Sequence, residues 1–241
     1  MDGKMTQYDV TIIGGGIGGL MTAYRLKCNS PHLKVLIIDK GKSLDKRQCP
    51  AQKGNACAHC KTCDITSGYA GAGAFSDGKF NLGTAYGGIL GEVIGEQKAK
   101  DYIQKLDEIL CHLCSEDNYP DIYPSNETLK TLCLSHNLQL LDMDVRHLGT
   151  DRNISIMKSL IAELQLMDVN MLSNTTVNSV IRTNTHFEVH HTTDVVYTRY
   201  IVFAVGRTGT PFLTEFCNKN NVPITSNAVD IGVRVEMKDA I

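Results

Sequence analysis

The first forty residues alternate between short apolar runs and one glycine-rich turn. Residues 8–13 are rich in β-formers and predict a buried strand, and residues 35–38 predict a second one. Between them, residues 20–27 hold good helix formers, with apolar side chains available for packing. The order of strand, glycine turn, helix and strand predicts a βαβ unit.

The rest of the chain predicts further helices and then a run of strands. Helical spacing of apolar residues predicts helices at about 97–114, 127–136 and 151–166. Extended segments are predicted at 138–145, 169–172, 176–183, 187–191, 195–205 and 229–236. Polar clusters separate the later strands, which is typical of a β-meander. Residues 40–90 lack a clear period and are rich in Gly, Cys and Ala.

Composition narrows the class of protein and its compartment. Of 241 residues, 24 are Lys or Arg and 26 are Asp or Glu, which gives a net charge of −2. A nucleic-acid-binding module would show a basic excess, so no nucleic-acid partner is expected. No apolar run approaches the ~18 residues of a membrane span, and no secretion signal opens the sequence, so we expect no membrane association and a cytoplasmic location. The nine cysteines are then expected to be reduced thiols or ligands.

The glycine turn carries a GxGxxG dinucleotide fingerprint. The first glycine makes a tight turn, the second lets the backbone approach a pyrophosphate, and the third lets the helix pack on the strand. Asp39 ends the second strand, 20 residues after the last of these glycines, where a carboxylate can accept both hydroxyls of a ribose. The alternative is a glycine-rich turn in an unrelated βαβ unit. The residues predicted to bind the cofactor here are Gly14, Gly16, Gly18, Gly19, Asp39 and Lys40.

The sequence after Asp39 favours FAD over NAD as the dinucleotide. A compact NAD domain would continue with further βα units, whereas about 130 residues intervene here before the next predicted buried strand. The later IVFAVGR segment, residues 201–207, resembles the glutathione-reductase-like FAD oxidoreductases. That resemblance implies that Val177 contacts adenine through its backbone. It also implies that the strand ending in Ala204 and Gly206 closes over the nucleotide.

A closer resemblance is to a group of bacterial FAD-dependent dehydrogenases with a Cys-rich CP…CxxCxxC…GAGAFSDGK segment. The matching segments lie in the expected order at residues 49–79, 146–151, 204–209 and 229–236. The resemblance implies bound FAD but no particular substrate.

A second glycine cluster lies in SGYAGAGAFSDGK, which contains Gly71 and Gly73. Small residues there let the backbone approach a flat ligand, and the resemblance places this loop on the flavin side of FAD. Ser76 and Lys79 are the polar candidates for the pyrophosphate or the flavin ring. A cation at Lys79 would stabilise the reduced flavin anion. The alternative is a flexible glycine-rich loop.

Four cysteines form the most distinctive local pattern: Cys49, Cys57, Cys60 and Cys63. Their spacing leaves four interpretations open, namely an iron–sulfur cluster, a zinc site, a pair of redox thiols and no metal. The surrounding lysines and arginine favour thiolates, because positive charge lowers the pKa of a thiol. The other five cysteines are expected to pack in the interior or to be structural.

The segment RHLGTD supplies the candidates for catalysis. Arg146 could clamp a carboxylate and His147 could act as an acid or base near neutral pH. The alternative is a plain strand–helix connection in which Thr150 or Asp151 caps the helix.

These patterns predict an α/β chain with a Rossmann-like FAD-binding domain, a three-layer arrangement with a β-meander, and a partial inserted or substrate domain. Residues 1–90 and 165–225 would form the FAD-binding domain without its last part, residues 91–164 a mainly helical insertion, and residues 226–241 the start of a second domain. The expected function is that of an FAD-dependent oxidoreductase which moves hydride or electrons between flavin and a small molecule or redox partner. The alternatives are a metal-containing electron-transfer module and a non-catalytic FAD or NAD sensor.

Overall fold

A computed structural model describes residues 7–85, 88–114, 119–141, 143–226 and 231–233. Its strands are β1 (Gln7–Ile13), β2 (Val35–Ile38), β3 (Lys79–Asn81), β4 (Ile122–Tyr123), β5 (Val145–His147), β6 (Asn170–Leu172), β7 (Val177–Arg182), β8 (Phe187–His191) and β9 (Val195–Phe203). Its helices are α1 (Ile17–Asn29), α2 (Leu90–Ile94), α3 (Glu96–Leu113), α4 (Glu127–Ser135), α5 (Thr150–Leu166) and α6 (Thr210–Lys219).

The main sheet has six strands in the order β6-β2-β1-β9-β8-β7. The first four strands are parallel. β8 then pairs antiparallel with β9, and β7 pairs antiparallel with β8. β9 is long enough to pair with β8 at its start and with β1 along most of its length. This order confirms the predicted α/β class, the βαβ unit and the meander.

Apolar side chains cover both faces of the sheet. Ile12 and Ile37 face one side, where they pack with Leu20 of α1 and with Leu160 of α5. Ile13, Leu36 and Ile38 face the opposite side, together with Val189 and Val196 of the meander. Every residue of β2 is fully buried, as expected for a parallel strand covered on both faces. Helices therefore cover one face of the parallel strands, and apolar residues of the meander, which continues the same sheet, pack with residues of the other face.

A small antiparallel sheet of three strands lies apart from the main one, in the order β3-β5-β4. Lys79 pairs with His147 and Phe80 with Arg146 in its central register. α5 follows β5 and packs both on α1 and on α3. Its buried residues belong to the first core cluster, the one that contains Ile12 and Ile37. No helix in the described ranges is long and apolar enough to cross a membrane.

Several elements differ from the sequence prediction. The extended segment predicted at 138–145 forms a strand only from Val145, and α2, β3, β4 and α6 were not predicted. α6 has Pro211 in its first turn, a position that suits proline because the missing N–H would have no helical partner. α1 begins at Ile17, three residues earlier than predicted. Its first turn contains Gly18 and Gly19, and glycine gives no sequence signal for a helix. Most of the predicted strand at 229–236 lies outside the described residues.

Candidate functional site

The turn between β1 and α1 depends on glycine at two positions. Gly14 has a φ of +110°, and a Cβ there would overlap the carbonyl oxygen of Ala204 at the end of β9. A Cβ on Gly19 would overlap the carbonyl oxygen of Gly14, so the third glycine brings α1 onto the turn. The N–H of Ala204 donates to the carbonyl of Ile13 at 2.8 Å, which joins β9 to the same turn. The structure thus brings Ala204 beside the fingerprint.

The amino terminus of α1 faces outward from this turn without a side-chain cap. Its first backbone hydrogen bond runs from the N–H of Leu20 to the carbonyl of Gly16 at 3.0 Å. The N–H groups of residues 17–19 therefore precede the helical hydrogen bonds. A Cβ on Gly18 would meet no atom within 4 Å. These donors and the positive end of the helix dipole suit an anionic group such as a pyrophosphate.

Asp39 connects the fingerprint with the chain after β2. Its Oδ2 accepts a hydrogen bond from the N–H of Gly15 at 2.7 Å, and its Oδ1 accepts one from the N–H of Gly41 at 2.7 Å. The side chain is almost fully buried, and each carboxylate oxygen keeps a further lone pair. Its role as a ribose ligand stays a prediction, as does that of the half-buried Lys40 beside it.

The segment that leads to Val177 is hydrogen-bonded to the residues just after β2. The N–H of Thr175 donates to the carbonyl of Asp39 at 2.9 Å, and the N–H of Asn174 donates to that of Gly41 at 2.7 Å. Val177 follows as the first residue of β7, and its side chain packs on the second core cluster, the one that contains Ile13 and Val189. Val177 therefore follows directly after a segment that is hydrogen-bonded to the residues just beyond β2. The predicted adenine contact is untested.

The second glycine cluster docks directly on the first. The N–H of Ala70 donates to the carbonyl of Gly15 at 2.8 Å, and a Cβ on Gly71 would lie 3.0 Å from the Cα of Gly16. Gly71 has a φ of +63°. Two segments more than fifty residues apart therefore form one surface of backbone around the start of α1. Gly206, the other predicted cofactor residue, also has a positive φ and begins the turn that leads into α6.

Tyr69 fixes this docking and was not singled out from the sequence. Its ring lies against Gly15, where a Cβ would come within 2.5 Å of a ring carbon. Its hydroxyl donates to the carbonyl of Ile37 in β2 at 3.1 Å. Burial, and to a lesser extent the Asp39 carboxylate, raise the pKa of Tyr69, so the ring stays neutral and acts as a wedge. A lone tyrosine in a glycine-rich loop carried no sequence signal for this role.

Lys79, predicted for the flavin side, and His147, predicted for catalysis, are brought together. They pair across β3 and β5, and the carboxylate of Asp77 lies between them. Its Oδ2 is 3.1 Å from the Lys79 Nζ and 3.9 Å from the His147 Nε2. The hydrogen bond from Lys79 lowers the pKa of Asp77 below its ordinary value. All three side chains remain about half exposed. Ser76 is exposed and donates to the carbonyl of Gly73 at 2.7 Å.

Arg146 is built into the interior instead. Its Nε and Nη2 donate to the two carboxylate oxygens of Asp107 at 2.8 and 2.7 Å, and its Nη1 donates to the carbonyl of Pro120. The guanidinium also lies 4.6 Å from the ring centre of Tyr119. The hydrogen bonds to Asp107 raise the pKa of Arg146. This geometry favours the structural alternative, because a substrate carboxylate would have to displace Asp107.

The start of α5 also differs from the capping prediction. Gly149 is the N-cap residue, with a φ of +78°, and no side chain caps the helix. Thr150 is the first helical residue and Asp151 the second, so both lie inside the first turn. Asp151 still stabilises the helix as a negative charge near its amino end.

The cysteine-rich loop is closed at its base by two cations. Arg47 is buried and donates to the carbonyls of Asp64, Ile65 and Tyr69 at 2.7–2.8 Å. Lys42 pairs with the Asp64 carboxylate at 2.6 Å. The predicted ligands Cys57 and Cys60 are exposed, and Cys49 and Cys63 are partly buried. In the described part of the chain, no group of three His, Cys, Asp or Glu residues converges as a metal site, so the metal stays a prediction.

Comparison with known proteins supports the dinucleotide fold. Residues 12–44 match the model of an NAD(P)-binding Rossmann-like domain. No curated protein sequence matches the chain. Among solved structures, glycine oxidase from Geobacillus kaustophilus has a TM-score of 0.53 at 13% identity, with 90% of this chain and 59% of that chain covered. NikD, an unusual amino acid oxidase essential for nikkomycin biosynthesis, has a TM-score of 0.50 at 10% identity, with coverages of 89% and 54%.

These likenesses establish the fold. The chain spans little more than half the length of either solved structure. The confirmed elements are a Rossmann-like dinucleotide unit with its meander, arranged as in these larger oxidases.

Proposed function

We propose that this chain is the dinucleotide-binding part of an FAD-dependent oxidoreductase. The observation that carries the proposal is the docking of the second glycine segment on the fingerprint turn. The Ala70–Gly15 hydrogen bond and the Gly16–Gly71 contact build a backbone cradle that extends beyond a minimal βαβ unit. A cradle of this length suits a dinucleotide whose second half continues past the pyrophosphate.

The residues present fit FAD, and each part of the cradle has its own task. The N–H groups at the start of α1 would bind the pyrophosphate, and Asp39 would orient the adenosine ribose. The backbone at Gly71 and Gly73 would approach the flavin ring, with Ser76 and Lys79 at its polar edge. Bound FAD supplies the ability to accept or donate a hydride. His147 would hold or move a proton at its Nε2, beside Lys79.

Two comparisons support this proposal and leave its details open. The two solved structures described above are both named as oxidases. Substrate, electron acceptor and any further part of the flavin site belong to the proposal. A small molecule or a redox protein would serve as the partner.

An NAD(P)-binding protein is the second candidate, because the matching family model carries that description. Asp39 would then select NAD over NADP, since a carboxylate repels a 2′-phosphate. In a compact NAD(P) domain, further βα units would follow β2 directly. In this chain the glycine segment follows instead and docks on the fingerprint turn, which favours FAD.

Purification under anaerobic conditions tests both candidates. We expect yellow protein that releases FAD on denaturation, or apoprotein that binds added FAD more tightly than NAD⁺. Replacing Asp39 with Ala should weaken FAD binding, whereas the exposed Asp101→Asn change should not. A wild-type chain that binds NAD⁺ and leaves FAD unbound would reject the leading proposal.

The cysteine loop needs a separate test. Iron with sulfide, or zinc, would be found by elemental analysis of the same protein. Cys60→Ser should lower the metal content if the four cysteines are ligands. An unchanged metal content and an unchanged turnover would reject the cluster.

A further inference from the structure

Asn153 lies on α5, one turn after its start, and was not singled out from the sequence. Its side chain is 3% exposed. The Nδ2 donates to the carbonyl of Gly73 at 2.8 Å and reaches the carbonyl of Ala74 at 3.3 Å. Both acceptors lie about eighty positions earlier in the chain, inside the second glycine segment. A buried amide with two backbone acceptors is a specific tether between the two elements.

The same corner of α5 holds the following residues of that segment. The N–H of Leu148 donates to the carbonyl of Gly78, and the N–H of Gly149 donates to that of Asp77, both at 2.9 Å. A Cβ on Gly78 would lie 3.0 Å from the Cβ of Asn153, so the backbone passes directly against this side chain. The segment is therefore fixed at its start by the fingerprint turn and along residues 73–78 by α5.

Asn153 bonds from α5 to the middle of the segment. Gly73 itself is exposed, and a Cβ there would meet no atom within 4 Å. The carbonyl of Gly73 thus points towards α5, while its Cα side stays open for a ligand. The Gly73 carbonyl also accepts from the Oγ and the N–H of Ser76. Without the amide, the turn at residues 72–75 would keep these local bonds but lose the side-chain bond that ties it to α5.

We propose that Asn153 is a positioning residue for the flavin half of the cofactor, an inference that rests on the proposed FAD function. It acts through the Gly73 and Ala74 carbonyls and sets the distance between the glycine segment and the fingerprint turn. It does not touch the cofactor.

Three variants separate positioning from general stability. Asn153→Ala removes the donor. Asn153→Asp keeps the shape but turns a carboxylate towards two carbonyl oxygens. Leu160→Ala is the matched control, since Leu160 is fully buried on the same helix and its side chain has no hydrogen-bond donor for the segment's carbonyls. FAD dissociation constants are measured by flavin fluorescence, and each variant's unfolding is followed separately.

We expect Asn153→Ala to weaken FAD binding by about tenfold, and Leu160→Ala to lower stability without weakening it. Asn153→Asp should bind FAD poorly at about pH 8 and recover towards about pH 5. Burial against two carbonyl oxygens favours the protonated carboxyl group at this position, and that group can again donate. Wild-type protein measured at both pH values provides the baseline.

The outcomes of the two hypotheses are distinguishable. FAD binding by the wild type, with the same affinity in Asn153→Ala and no pH-dependent recovery in Asn153→Asp, overturns the positioning role alone. Equal weakening in Asn153→Ala and Leu160→Ala also overturns it. A wild type that binds no FAD rejects the proposed function itself.

Discussion

Lys79 and His147 face each other across two short strands, and the Asp77 carboxylate lies within 4 Å of both side-chain nitrogens. The two residues are 68 positions apart and were predicted for different tasks. Directly opposed residues of an antiparallel pair place their side chains on the same side of the sheet. The pairing therefore puts a cation and a titratable ring at one edge of the second glycine segment.

Replacing Lys79 with Met should weaken FAD binding and make the flavin reduction potential more negative. A cation beside the flavin stabilises the reduced anion, so its removal favours the oxidised form. Anaerobic reduction with a reference dye measures the potential. Lys100→Met, at an exposed position on α3, is the control. An unchanged affinity together with an unchanged potential would remove Lys79 from the flavin site.

Gly18 and Gly19 are neighbours with opposite expected responses to alanine. At Gly19 a Cβ would collide with the Gly14 carbonyl, so Gly19→Ala should destabilise the fold by about 1–3 kcal/mol. At Gly18 the added methyl group meets open space, and Gly18→Ala should gain about 0.5–1 kcal/mol from helix propensity. Urea unfolding measures both. If the cofactor approaches α1 here, Gly18→Ala should nevertheless weaken FAD binding.

Retained affinity in Gly18→Ala would mean that the pyrophosphate does not lie against Gly18. A loss of stability in the same variant would contradict the open space described at this position. FAD affinity and the free energy of unfolding are measured separately, so either expectation for Gly18→Ala can be contradicted while the other is confirmed.

The fingerprint and its strands could be predicted because their signals are local. The period of residues 8–13, the glycine spacing and the acidic end of β2 all fall within thirty-two residues. The docking of Tyr69 on Gly15 and the tether from Asn153 to Gly73 join segments separated by 54 and 80 positions. Such contacts depend on how loops fold over the sheet, and no period or composition encodes them. Arg146 shows the same limit, because its partner Asp107 lies on a separate helix.

Arg146→Met should destabilise the fold by about 3–5 kcal/mol. It would leave the Asp107 carboxylate buried without its partner, and breaking a buried pair costs far more than replacing it. The double variant Arg146→Met with Asp107→Leu should recover much of this loss. Urea unfolding of the two single variants and the double variant completes the cycle. A stable Arg146→Met protein that binds FAD but has lost turnover would instead restore the substrate-clamp hypothesis.

His191 makes the meander sensitive to acid. The ring is 8% exposed at the end of β8, and its Nε2 is buried without a hydrogen-bond partner among the described residues. Burial lowers the pKa of His191 below its ordinary value of 6.5, and the Asp194 carboxylate only partly opposes this effect. The unfolded chain therefore takes up the proton first as the pH falls.

The contribution of His191 to stability is thus complete above the pKa that His191 has in the unfolded chain. It is lost as the pH falls from that value through the lowered pKa of the folded state. His191→Phe keeps a ring of similar shape but cannot titrate, so its free energy of unfolding should fall less between pH 7 and about pH 5 than that of the wild type. His32→Gln, at an exposed loop position, should follow the wild-type curve. Because other carboxylates and histidines titrate in both proteins, the difference between the two curves isolates His191. Parallel curves for His191→Phe and the wild type would show that the ring does not resist protonation in the fold.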